Sequence, residues 1–565
     1  MKRTIPVIIL AIIILGAALI RCIGLGSNPV GFSDDEADKG YDAYSLLLTG
    51  KDQWGTPWPI FSFKGFGDYR APMYTYLTVP SVKLFGLTPF AVRLPSALLG
   101  TLSVLAVFFL VSELFRGSKH ATALSLTSAA LLTISSWPIG MSRMAMEVVV
   151  ADFLVIAGLY VFLVARRNHH LLPVAGLILG LSVYAYTADV VFVPLVLAVL
   201  IYMYRDTYVK KIRRWTIAAI VIFLLMTVLI TISGHASSSV RLGQVNLTHD
   251  TGRIDLLNEK LGACAAQLPS YICRVSLNKF VVFFEKFVDN YIHHFSPSLL
   301  GISGTSTQYS ALPGGGLLYL VTLPLFLLGI YTSFRAKNRA GMFMTMFLLL
   351  SAIPDSLTSD GHYTRFFISV PGWQIVTGVG ILRLWEWKKI RWFILTAVAF
   401  LYIAALFRFV VEYTTYFPYR YSAYSHYGYK ELVSDIETYK SRYDKIIISS
   451  RANDAKQYIF YLFYTKYDPV QFQKGVGIEK GLDALGWVRV RRVGSVYFVS
   501  DLPVVKAQTV ITDRELFIGA PSEFPAEEYI PSRFVVKDKK GDVLFEAVDA
   551  EDYVRCLRMI CRAGE

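Results

Sequence analysis

Residues 2–38 read KRTIPVIILAIIILGAALIRCIGLGSNPVGFSDDEAD, and their order decides the fold. The apolar run Ile5–Ile20 is long enough to cross a bilayer as a helix, and Lys2 and Arg3 ahead of it place the N-terminus on the cytoplasmic side by the positive-inside rule. The chain then delivers Ser33-Asp34-Asp35-Glu36-Ala37-Asp38 to the opposite membrane surface, and carboxylates crowded at such a surface point to catalysis there. The run lacks a clear small-residue cleavage site and further apolar spans follow it, so an uncleaved first span is expected rather than a signal peptide.

Composition agrees: of 565 residues 54% are hydrophobic and 14% aromatic, with a mean hydropathy of +0.46, more apolar than a water-soluble chain of this length. The formal charge of +14 would suit nucleic acid, but Lys and Arg fall largely in short segments between apolar runs, as orientation signals do; no nucleic-acid partner is expected.

A window of about 19 residues picks out about eleven spans. Their cores are 5–22, 92–114, 121–137, 147–165, 171–187, 190–204, 215–232, 316–334, 341–354, 366–384 and 392–411. Alternate connections are basic: Arg116 and Lys119; Arg166-Arg167; Arg205, Lys210-Lys211 and Arg213-Arg214; Arg335, Lys337 and Arg339; Arg383, Lys388-Lys389 and Arg391. All of these lie on the N-terminal side of the membrane, which leaves three long segments on the other: 24–91, 233–315 and everything after Val411.

Trp54, Trp58, Phe61, Phe63 and Phe66, set among Gly and Pro, read as interfacial membrane anchors. Beyond Val411 the pattern changes to period-two stretches such as Val488-Arg489-Val490-Arg491 and Val496-Tyr497-Phe498-Val499, with a helix over 455–467 and a Tyr-rich connection over 413–429. The expected architecture is a mostly α polytopic membrane domain, 1–411, followed by an extracytoplasmic α/β domain, 412–565, suited to recognition or bracing. On an oxidising side of the membrane, Cys264 with Cys273 and Cys556 with Cys561 are candidate disulfides, while Cys22 is a packing residue.

The order Asp35-Glu36-Ala37, then Gly67-Asp68-Tyr69-Arg70-Ala71-Pro72-Met73-Tyr74, then Val92-Arg93-Leu94-Pro95-Ser96-Ala97-Leu98-Leu99-Gly100 resembles the multi-span GT-C glycosyltransferases. Within that class it resembles the protein mannosyltransferase and aminoarabinose transferase branch, which uses sugars carried on polyprenyl phosphates. Ser142-Arg143 through Glu147, and His362-Tyr363-Thr364-Arg365 leading into Pro371, continue the pattern, which covers residues 1–410. The resemblance implies a catalytic Asp at Asp35, a second acidic residue near Glu147 (with Asp152 five residues on), and a phosphate contact from the basic residue before Pro, here Arg70. Some GT-C enzymes use a divalent cation and others do not, so a metal is left open.

The chemistry also follows from charge. Transfer from a lipid phosphate needs a base for the acceptor hydroxyl and positive charge for the departing phosphate. Asp35 or Glu36 supplies the base; Arg70, Arg143 and Arg365 offer forked donors that match phosphate oxygens. Each has a plainer reading. Ser33-Asp34-Asp35-Glu36 before a helix-compatible run is also an N-cap, Glu36 holds a metal or an Arg, and Asp34 and Asp38 stay hydrated. Glu147, one helical turn after Arg143, pairs with it or faces the site beside it; Arg93 snorkels or pairs with the acidic loop. His362, His293, His294 and Asp189 are further substrate-site candidates, and adjacent His293 and His294 diverge too much for both to hold one ion.

The expected function is an inverting glycosyl transfer from a polyprenyl-phosphate-linked donor to a hydroxyl on a glycan, lipid or protein acceptor, in a prokaryotic plasma membrane. The competing reading is a transporter or flippase. It places key polar groups at the bilayer midplane, whereas here the ionisable residues gather at one face.

Overall fold

The computed structural model describes residues 4–66, 69–233, 251–304, 315–359, 363–387, 389–451, 456–482, 488–503, 514–524 and 530–563. Each expected span core overlaps a helix, among them Thr4–Cys22, Pro89–Leu114, Glu147–Val164, Arg213–Ser233, Val370–Trp385 and Arg391–Val411. Among the described residues six helices are long and apolar enough to cross a membrane, and a seventh span results if Ala121–Ile134 and Ser136–Ser142, bent by 60° at Ser135, count as one. Leu172–Ala185 and Asp189–Met203 are shorter apolar helices.

Between the first two long helices the chain forms the helix Asp34–Thr49, a short hairpin of β1 (Phe63–Lys64) and β2 (Tyr69–Arg70), and the helix Met73–Phe85. The N-cap reading of the acidic stretch is realised in full. The Ser33 hydroxyl accepts from the Glu36 N–H and the Glu36 carboxylate accepts from the Ser33 N–H, while Gly50, at φ 68°, ends the helix in the left-handed conformation that glycine adopts most readily. Asp34, Asp35 and Glu36 all lie in the first turn, where the helix dipole favours negative charge.

The C-terminal part is a mixed seven-stranded sheet, order β4-β5-β6-β3-β7-β9-β8, built from β3 (Lys445–Ser449), β4 (Ile478–Leu482), β5 (Val488–Val493), β6 (Val496–Val499), β7 (Glu515–Gly519), β8 (Ser532–Lys537) and β9 (Val543–Asp549). Central β3 runs parallel to β6 and β7, and Ile446, Ile447 and Ile448 are all buried because both faces of the sheet are covered. Ile447 packs with Phe517, Val548 and Cys556. Ile446 and Ile448 join a core that runs through the helices Tyr429–Tyr439 and Gln457–Thr465 to Ala37 and Tyr41 of the acidic helix and Tyr74 of its neighbour.

That shared core overturns the membrane-anchor reading of the aromatic loop. Phe63 and Phe66 are buried, Trp54 lies 5.9 Å from Phe472 and donates its indole N–H to the Lys64 carbonyl at 2.9 Å, and Trp58 stays exposed. The C-terminal domain supplies ring partners for Trp54 and Phe66 (Phe472 and Tyr458), while Phe63 packs on Tyr76 and Phe61 on Tyr184. Cys264 and Cys273 form a disulfide. Cys556 is a free, buried thiol, so the second expected pair is not formed; the Cys561 side chain lies outside the described residues.

Two close approaches fix the seam. A Cβ on Gly31, at φ 82°, would meet the Ser425 carbonyl, and a Cβ on Gly40 would lie 2.6 Å from Val92 Cγ2 and 2.7 Å from Phe463 Cε2. Gly40→Ala is therefore expected to lower the thermal midpoint of the whole protein, with an overpacking cost of about 1–3 kcal/mol. An unchanged midpoint would mean that this helix is not gripped on both sides.

Candidate active site

Asp35 sits in the first turn of the Asp34–Thr49 helix with its side chain exposed, and among the described residues its carboxylate makes no ion pair. The residues around it are tied down. Glu36 is buried against Arg93, accepting from Nε at 2.9 Å and Nη2 at 3.0 Å, and also from the Ala145 N–H at 3.0 Å. Burial pushes the Glu36 carboxyl up, but the Arg93 guanidinium and the two backbone donors outweigh it and hold the group below the usual carboxylate range. Arg93 in turn donates to the carbonyls of Leu25 at 3.2 Å, Pro29 at 3.0 Å and Gly31 at 2.7 Å. Of the two sequence readings, Arg93 pairs with the acidic loop and Glu36 holds an Arg. A hollow with largely apolar walls, Phe32, Met141, Met144 and Phe417 among them, opens beside this pair.

One turn after Asp35 comes Lys39, which the sequence reading missed although its i+4 spacing puts it on the same helical face. Its ammonium is buried and donates to the Ala145 carbonyl and to Glu147 Oε1, each at 2.8 Å. Burial works against the charge, yet Glu147 and then Asp35 outweigh it and raise the Lys39 pKa above its ordinary value. Glu147 is thus paired with Lys39 rather than with Arg143. The structure brings Asp35, Lys39 and Glu147 together.

It gives two of the three expected phosphate arginines other partners. Arg70 is buried and paired with both Asp38 and Asp42, whose neighbour Gln53 donates its backbone N–H to Asp42 at 2.9 Å. Asp38, expected to stay hydrated, is fully buried for the same reason. Arg143, also buried, donates to the carbonyls of Ile20 at 2.7 Å, Ile23 at 2.8 Å and Asn28 at 2.9 Å, closing the loop that leads from the first helix to the acidic cluster.

Arg365 belongs to a second cluster. It donates to Asp355 Oδ1 at 3.0 Å and Thr358 Oγ1 at 3.1 Å, and 23% of its side chain remains accessible. His294 is buried, with Nε2 2.7 Å from Asp355 Oδ2 and Nδ1 2.7 Å from the Asn290 carbonyl, whereas His293 points outward. Asp355, the acid at the end of an apolar run, was not singled out from sequence. His362 lies outside the described residues. Asp189 is buried at the start of its helix and near Asp152. The short helix Ile353–Ser356 packs against the Asp189–Met203 helix, and the turn Phe367–Ser369, just past Arg365, packs against the helix that begins at Glu147. Among the described residues no three His, Cys, Asp or Glu side chains are grouped to hold a metal ion.

Asp34, also expected to be hydrated, is largely buried, 3.9 Å from Lys456 of the C-terminal domain. Burial, then the Asp35 charge, push its carboxyl up from 3.8 to about 6. The folded protein therefore holds a proton between about pH 4 and 6 that the unfolded chain releases, and stability declines as pH rises through that window. Asp34→Asn is expected to flatten that decline in a thermal-midpoint series from pH 4 to 7; an unaltered slope would contradict it.

The match to known proteins is of two kinds. Residues 69–231 match the dolichyl-phosphate-mannose-protein mannosyltransferase family. No curated protein matches by sequence. Among solved structures, ArnT from Cupriavidus metallidurans bound to undecaprenyl phosphate superposes with a TM-score of 0.51 at 14% identity, over 95% of this chain and 97% of that one. Its apo form gives 0.51 at 13%, over 98% and 99%. The archaeal oligosaccharyltransferase AglB from Archaeoglobus fulgidus gives 0.47 at 15% over 82% of this chain, which spans only 64% of that longer protein. The chain is a membrane protein that shares the fold of ArnT and, over residues 69–231, resembles the dolichyl-phosphate-mannose-protein mannosyltransferase family.

Proposed function

We propose that the protein is an inverting glycosyltransferase that moves a sugar from a polyprenyl-phosphate donor to an acceptor hydroxyl at the outer membrane face. One observation carries this reading. Among the described residues Asp35 is an exposed carboxylate without an ion-pair partner, set on a helix end where Glu36, Asp38 and Lys39 are buried and engaged. A base must be open to its proton donor, and a rigid mount keeps it aimed. The fold shared with ArnT, and the mannosyltransferase match over 69–231, support the donor class.

In this mechanism Asp35 takes the proton of the acceptor hydroxyl as its oxygen attacks the anomeric carbon, and the polyprenyl phosphate leaves from the opposite side, inverting that centre. Lys39 offsets the negative charge of Glu147 and keeps the floor beneath Asp35 from being a cluster of unpaired carboxylates. The partial accessibility of Arg365 supports reading it, of the expected three, as the arginine that meets the phosphate. Arg70 and Arg143 act through the helix and loop they secure. The basic connections on the other side support a cytoplasmic N-terminus and an external C-terminal domain, in what we read as a prokaryotic plasma membrane.

Asp35→Asn preserves shape and removes the base. Turnover of a polyprenyl-phosphate sugar by the purified variant is expected to fall about a hundredfold to ten-thousandfold, with donor binding retained. Full activity would overturn the assignment of the base, and a product with retained anomeric configuration would overturn the single displacement.

A further inference from the structure

Glu113 stands near the end of the helix Pro89–Leu114 that lies away from Arg93, and three guanidiniums converge on its buried carboxylate. Arg167 takes both oxygens as a fork, Nη1 to Oε1 at 2.6 Å and Nη2 to Oε2 at 2.9 Å. Arg166 reaches Oε1 with Nη2 at 3.2 Å, its Nε donates to the Leu163 carbonyl at 3.1 Å, and its guanidinium lies 4.5 Å from the centre of the Tyr204 ring. Arg116 donates through Nε to Oε2 at 3.2 Å.

Three positive charges against one negative leave two in excess. The connections that carry the arginines, 115–120 and 165–171, contain no Asp or Glu and add Lys119. Asp206, in the next basic connection, is paired with Lys210 at 2.8 Å. Arginine keeps its charge at any physiological pH, and a proton on Glu113 would only enlarge the excess. An orientation signal needs no more than scattered charge, whereas here the ends of two helices bring their guanidiniums to one acid. Of the Arg116 side chain 60% is accessible, and of the Arg167 side chain 43%, so an anion can reach the forks that Glu113 has set in place.

Position says which anion. Twenty residues separate Arg93, beside the acidic cluster, from Glu113; that is about 30 Å of helix, the thickness of a bilayer's hydrocarbon core. The Glu147–Val164 helix likewise begins at the Lys39 pair and ends three residues before Arg167. The arginines therefore stand at the membrane surface opposite Asp35. One turn back from Glu113 toward the bilayer, Phe109 is exposed and lies 5.7 Å from the Tyr160 ring, an apolar surface directly inside the basic one.

We infer that Arg116, Arg166 and Arg167, mounted on Glu113, form a binding site for the phosphate of an anionic phospholipid in the leaflet opposite Asp35, with the acyl chains lying over Phe109 and Tyr160. The inference is independent of the transferase reading.

The test titrates phosphatidylglycerol and, separately, phosphatidylcholine onto the full chain in detergent, with bound lipid counted by native mass spectrometry. The parent is expected to hold phosphatidylglycerol about tenfold more tightly than phosphatidylcholine, since the second headgroup carries no net charge for the excess to meet. The double variant Arg116→Gln, Arg167→Gln is expected to lose that preference, and Lys119→Gln, in the same connection but outside the cluster, to keep it. A parent without preference, or a double variant that retains it, overturns the site. An equal loss in Lys119→Gln would mean diffuse surface charge and also overturns it. Inorganic phosphate at millimolar concentration is expected to leave phosphatidylglycerol bound; complete displacement would assign the arginines to a free phosphate and overturn the lipid. Should the double variant fail to fold, Arg116→Gln alone leaves Glu113 with Arg166 and Arg167: a reduced preference supports the site, and the parental preference contradicts it.

Discussion

The buried ion pair between Glu36 and Arg93 is the constraint on which the rest of the site depends. Glu36 joins the cap of the acidic helix, the Ala145 backbone and the Arg93 guanidinium, and Arg93 gathers three carbonyls of the loop that follows the first helix. Three pieces of chain distant in sequence, residues 25–36, Arg93 and Ala145, meet at two side chains. Removing either partner leaves an uncompensated buried charge, a loss of about 3–5 kcal/mol. Because Glu36 adjoins Asp35, the same bonds that stabilise the helix start also set where the open carboxylate stands.

The C-terminal domain completes the mount from the other side. Gln473 donates to the Ser45 hydroxyl at 2.9 Å, the Thr49 hydroxyl at 3.0 Å and the Asp52 carbonyl at 2.9 Å, while the Tyr41 hydroxyl donates to the Tyr467 carbonyl at 2.9 Å. Phe463 meets Phe32 at 4.8 Å within the shared apolar core. The acidic helix is therefore held from below by the spans and from above by the sheet domain. Bracing, one of the two roles expected for that domain, has a visible physical basis in these contacts.

Much of the architecture was legible because lipid imposes simple rules: long apolar runs, basic connections on one side, and a change of period where the chain leaves the membrane. The capping box was legible from Ser33 and Glu36 alone, since its bonds are local. What sequence hid were pairings between residues far apart in the chain. Nothing local joins Lys39 to Glu147, or tells an arginine reserved for phosphate from one saturated by carbonyls, as Arg143 is. The pairing of Arg70 was hidden because its two carboxylate partners lie on the helix before it, and the burial of Asp38 because a polar neighbourhood in sequence proved to be the inside of the molecule. The aromatic loop was assigned to lipid because a covering domain is indistinguishable from a membrane when only the apolar side is seen.

The measurement that bears most directly on this account is a structure of the full chain in a lipid nanodisc with a polyprenyl-phosphate sugar bound. The account requires the phosphate beside Arg365, the anomeric carbon turned toward the space above Asp35, and the prenyl chain lying along the apolar helices. A donor seated at the basic, opposite face of the membrane, or one separated from Asp35 by packed protein, would contradict it.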